Sequence, residues 1–95
     1  MDVQVSLAAL VEHPGIYEAV AVVRDEQGRL LAAPFLRFPG SQTSVTAVTN
    51  EAGERISLSI GPVFRGREAQ WLVVWRHQGR TVARASGRAT VSGAN

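Results

Sequence analysis

The 95-residue sequence contains no cysteine, which excludes disulfides, thiolate nucleophiles and cysteine-based metal sites. It contains no lysine either, so all ten basic residues are arginine. An arginine-only chain has two explanations. One is codon bias in a GC-rich genome, and the other is a surface that selects planar, two-pronged contacts to carboxylate or phosphate. Histidine occurs only at His13 and His77. Two isolated histidines beside scattered carboxylates make no metal site of three or four ligands, and no nucleophile, base and orienting acid fall into a catalytic pattern. The glycine-bearing stretches PGS, GPVFRG and SGR lack both the spacing and the following helix of a phosphate loop. No apolar run approaches the ~20 residues that span a bilayer as a helix. A charged segment leading into an apolar signal core is also missing. The sequence therefore offers no catalytic, cofactor-binding or metal-binding residue, and the expectation is a non-enzyme without a cofactor.

What is present is ordinary in amount and uneven in arrangement. At 45% hydrophobic and 19% charged, the chain is globular in composition, and 1–95 reads as one domain. Residues 1–54 hold three arginines against seven acids, a net of −4, whereas residues 55–95 hold seven arginines against Glu68 alone, a net of +6. The opening Met1-Asp2-Val3 runs almost directly into patterned sequence, which fits either a cytosolic protein or one from which a signal or larger chain was removed.

The patterning is that of strands. Val3, Val5 and Leu7 alternate with Gln4 and Ser6, the period-2 signature of a half-buried strand. LAALVEHPG beyond it fits a strand or a short helix stopped by Pro14-Gly15, with strand preferred. YEAVAVVR (17–24) is apolar on both parities, as in a central strand covered on both faces. Asp25-Glu26-Gln27-Gly28 supplies a turn. RLLAAPFLRF returns as a strand that Pro34 drives to a sheet edge. QTSVTAVT and RISLSI follow as strands around the turn NEAGE, with Ile56, Leu58 and Ile60 inward and Ser57 and Ser59 outward. GPVFRGR reads as a loop, AQWLVVWRH as a strand, and RTVARASGRATV as the last strand with a bend or bulge at Gly87. About seven strands bounded by Gly and Pro predict an all-β domain, a sandwich or partly open barrel. An antiparallel, immunoglobulin-like sandwich is the favoured form.

One phrase occurs twice. VVRDEQGRLLA (22–32) and VVWRHQGRTVA (73–83) align when Gly28 is matched to Gly79 and the second turn is one residue shorter. Arg24 then matches Arg76, Arg29 matches Arg80, Ala32 matches Ala83 and Arg37 matches Arg88. Either the chain holds two related hairpins, one per sheet or paired by pseudo-symmetry, or two hairpins converged on common turn chemistry.

The candidate partner-binding residues lie in and after the second hairpin. Trp71 and Trp75 share a strand face with Val73, either as core anchors or as a stacking or peptide-binding surface. Arg84, Ser86 and Arg88 share a face that Arg80 extends, and Arg76 adjoins it. Such a row either protects a sheet edge from further pairing or attracts an acidic partner. Arginines beside aromatics also occur in single-strand nucleic-acid platforms. With only six aromatic residues, nucleic acid is the lesser expectation.

Over LLAAPFLRFPGSQTSVTAV, ERISLSIGPVF and LVVWRHQGRTVA, the order of features resembles small secretin-like β-modules of exported bacterial proteins. The turn Pro39-Gly40-Ser41-Gln42 is one residue longer here. The layout also resembles the small immunoglobulin-like periplasmic inhibitors of curli assembly, through Tyr17-Glu18-Ala19-Val20-Ala21 and the two Gly hairpins. The Cys-x-Cys of one branch of that family and the Gln-Gly-Gly of another are absent. These resemblances imply an exported, periplasmic, monomeric and non-enzymatic β-sandwich. Its partner would be another polypeptide, an amyloid-forming or envelope-assembly subunit.

Overall fold

The computed structural model describes residues 1–92. Eight strands follow one another: β1 (Asp2–Ala9), β2 (Ile16–Arg24), β3 (Leu30–Ala32), β4 (Phe35–Pro39), β5 (Ser44–Thr49), β6 (Glu54–Phe64), β7 (Glu68–His77) and β8 (Arg80–Ser92). No helix occurs among the described residues. The period-2 patterns decide which side of each strand is buried. Leu7, Ala19, Ala21 and Val23 of the first half meet Ile56, Leu58, Ile60, Val73 and Val91 of the second in one core, and Phe38 joins them from β4. Each fully buried Leu, Ile or Phe among them contributes about 1.5–3 kcal/mol relative to exposure.

The hydrogen-bonded path runs β3-β2-β1-β8-β7-β6-β5, and β4 pairs with β2 beyond β3. The first and last strands meet at Leu7–Val91 and Ala8–Ser92, and this pairing is parallel. The expected purely antiparallel arrangement is therefore corrected to a mixed sheet, one that is nearly closed into a barrel. Gly40 draws the far edges together: its N–H donates to the Gly15 carbonyl at 2.8 Å and its carbonyl accepts from the Val63 N–H at 2.8 Å.

Four local expectations also change. Residues 10–15 form a turn rather than a continued strand, held by Leu10 N–H to the Ile16 carbonyl at 2.9 Å. The return strand of the first hairpin is two strands, because Pro34 cannot donate into a ladder; the break raises the count to eight. The segment from Gly61 is not all loop. A bulge between Ile60 and Val63 absorbs Gly61-Pro62, and β6 resumes with Val63 opposite Ala69 and Phe64 opposite Glu68. Gly87 is neither bend nor bulge. It pairs regularly with Trp71, and a Cβ there would lie 2.8 Å from the Trp71 ring, so glycine leaves the space that the indole covers.

The repeated phrase forms two matching hairpins, β2–β3 and β7–β8. Val23 faces Ala32 and Arg24 faces Leu30, with a bulge between. Trp75 faces Ala83 and Arg76 faces Thr81, again with a bulge between. The unpaired residues, Leu31 and Val82, are aligned in sequence as well. Both turns use their glycine at positive φ, 84° at Gly28 and 75° at Gly79.

Candidate binding surface

Register assigns the outward side of the second half. On β6, Ile56, Leu58 and Ile60 are fully buried, so Arg55, Ser57 and Ser59 take the opposite face. Cross-strand pairing carries that face onto β7 and β8. Arg55 lies opposite Arg76, which lies opposite Thr81; Ser57 opposite Val74 and Arg84; Ser59 opposite Leu72 and Ser86. Gln70 then faces Arg88, and Phe64 and Glu68 face Thr90. Four arginines from three strands thus share one face: Arg55, Arg76, Arg84 and Arg88. Val74 is only 8% exposed although it belongs to that face. Arg55, Arg76 and Arg84 flank it, and their aliphatic stems are long enough to shield it.

Charge pairing divides the molecule. Among the described residues, three of four ion pairs lie on first-half arginines: Arg29 with Asp25 at 3.0 Å and with Glu54 at 3.6 Å, and Arg37 with Glu18 at 2.8 Å. On the second-half face Arg88 pairs with Glu68 at 3.7 Å. Among the described residues Arg55, Arg76 and Arg84 form no salt bridge. Like charges held on one sheet face repel, and an acidic partner relieves that repulsion.

Of the residues singled out by sequence, Arg76, Arg84, Ser86 and Arg88 come together on this face. Arg80 does not. The Val82 bulge shifts the ladder, so that Arg80 pairs with His77, one parity away from Arg76. Trp71 and Trp75 are half-buried against the core and take the inward parity with Val73. Of the two readings open for them, packing against the core is the one these contacts support. Opposite Trp71, Val73 and Trp75, β8 offers Gly87, Ala85 and Ala83; these small residues leave room for the rings. That Ala/Gly alternation was the signal for their direction. Arg55 escaped the sequence reading although its parity with Ser57 and Ser59 was visible. Phe64 escaped because its segment reads as loop.

Asn50, Glu54, Asp25 and Arg29 have structural work. Asn50 donates to the Leu31 carbonyl and to Glu54, both at 3.1 Å, and its side-chain oxygen accepts from the Ala52 and Glu54 N–H groups. It thereby satisfies Glu54, a buried charged residue. Arg29 donates to Asp25 and holds that carboxyl below its ordinary value of 3.8; backbone N–H groups of Arg29 and Gln27 act in the same direction. His13 lies in the turn after β1 and His77 at the end of β7 remote from Val91, so the two do not converge. Among the described residues no group of three or more His, Asp or Glu side chains is placed to hold a metal ion.

No family model, curated protein or solved structure matches the chain.

Proposed function

We propose that this chain is a non-catalytic protein-interaction module whose β6–β8 outer face holds an acidic segment of another polypeptide. The observation that carries it is Arg55, Arg76 and Arg84 on one sheet face with no salt bridge among the described residues. Arginine suits the role because its guanidinium binds carboxylates in a fork and is less strongly hydrated than an ammonium. Apolar Leu72 and Val74 lie between the arginines, and the tryptophans face the core. Such a face suits a side-chain-bearing peptide better than a run of stacked bases, which needs successive exposed rings. The immunoglobulin-like sandwich, the periplasmic setting and an amyloid-forming or envelope-assembly subunit as partner belong to the same proposal, on the resemblances quoted above.

Fluorescence anisotropy with a labelled glutamate-rich peptide tests it. Binding weakens as salt rises, because exposed charges are screened, and Arg76→Glu with Arg84→Glu abolishes it while leaving the fold intact. No binding at low salt would end the proposal. Stronger binding of a labelled single-stranded oligonucleotide, with a steep salt slope, would replace it with nucleic-acid binding. For an amyloid-forming partner, substoichiometric protein delays fibril growth followed by thioflavin fluorescence. An unchanged lag at equimolar protein removes that partner.

A further inference from the structure

The arginine face does not end in flat surface. Where β6 bulges at Gly61-Pro62, the sheet opens into a groove lined by Pro62, Phe64, Glu68, Gln70 and Arg88. Its volume, about 480 Å³, lies within the ~300–1,000 Å³ range of ligand-holding clefts. Phe64 is 60% exposed there, and the Arg65 guanidinium stands 5.1 Å from its ring centre. Phe64 shares the outward parity of Glu68, so groove and arginines belong to one continuous surface. Arg88 lines both the groove and the neighbouring hollow beside Ser86 and Gly87.

We infer that the groove is an anchor pocket, and that the preferred ligand is an extended acidic peptide carrying one bulky apolar side chain at one end. This rests on the acidic-partner reading above and specifies it. The eight-residue separation of Arg76 and Glu68 along β7 corresponds to about 26 Å of strand, so an extended segment of similar length spans both features. Its carboxylates meet Arg55, Arg76 and Arg84, while its apolar side chain enters between Pro62 and Phe64. Interfaces draw most of their affinity from such a desolvated apolar anchor, and charge sets orientation and encounter rate.

The test uses the full chain and fluorescein-labelled peptides of alternating glutamate and serine, about ten residues long to match that span. One set carries a leucine at either end, and the control carries alanine there. The leucine peptide of the correct polarity binds about tenfold more tightly than the alanine control, as expected for burying most of a leucine side chain. Phe64→Ala removes that advantage but leaves the alanine peptide's affinity unchanged, and Phe64→Leu retains most of the advantage. Equal affinity for leucine and alanine peptides overturns the anchor pocket while the acidic-partner reading stands. So does an advantage that survives Phe64→Ala. Failure of every acidic peptide to bind overturns both.

Discussion

The two hairpins share a plan and differ in what surrounds it. In each, an arginine lies at or one residue before the end of the outgoing strand, a glycine turn follows, and the ladder slips by one residue at the same aligned place. In the first, Pro34 then breaks the return strand, and the bulged Leu31 is buried. In the second, no proline intervenes, β8 continues to Ser92, and the bulged Val82 is half-exposed. The turns differ as well. Asp25 in the first binds Arg29; its aligned counterpart in the second is His77, and Arg80 forms no salt bridge among the described residues. The same local code thus yields an edge whose Arg29 and Arg37 are paired with acids in one half, and in the other a long strand on which, among the described residues, Arg88 alone of three arginines forms a salt bridge.

The largest expected effect tests whether the two halves are one folding unit. Leu58 is fully buried where both halves meet, so Leu58→Ala costs about 2–5 kcal/mol. Tryptophan fluorescence, which reports β7, and far-UV circular dichroism then shift together to the same lower midpoint. Separate midpoints would show that the halves unfold independently. Next in size is Gly87→Val. The added side chain collides with the Trp71 ring and costs about 1–3 kcal/mol by overpacking, with a red shift of tryptophan emission. An unshifted spectrum would contradict the placement of the indole over Gly87.

A smaller pair of changes compares the turns directly. Gly28 and Gly79 both have positive φ and open space around the missing Cβ, so each change to alanine costs about 1 kcal/mol for backbone strain alone. Urea denaturation should give nearly equal losses; unequal ones would break the equivalence of the hairpins. The smallest effect concerns acid. Asp25 has a lowered folded-state pKa, so its stabilisation is present above its ordinary value of 3.8 and is lost as pH falls through the lowered one. Thermal midpoints from about pH 6 to about pH 2 should therefore fall less steeply in Asp25→Asn. His77→Asp should add a like dependence to the second hairpin, and equal slopes in all three proteins would dismiss the turn contrast.

Much of this was legible in residue order. The strands of VQVSL and RISLSI follow from alternation, that of QTSVTAVT from its β-branched residues, and the Pro34 edge from its missing donor. The shared face of Arg84, Ser86 and Arg88 was visible because their parity is set within one strand. Arg80 was misplaced because a bulge leaves no mark in composition; a single unpaired residue reverses every side chain beyond it. Phe64 was missed for a related reason: Gly61-Pro62 reads as a terminator, yet the ladder resumes beyond it.

The chain's own order determined that this protein is built of strands, that it lacks thiol chemistry, and that its arginines gather in the second half. Those properties follow from side-chain type and spacing along a backbone with period 2. Only the tertiary structure decided that β1 and β8 meet in parallel, that Arg55 joins arginines from two other strands, and that a groove opens beside them. Each depends on register between segments distant in sequence, where one-residue slips cost little locally and change everything about which side chains share a face.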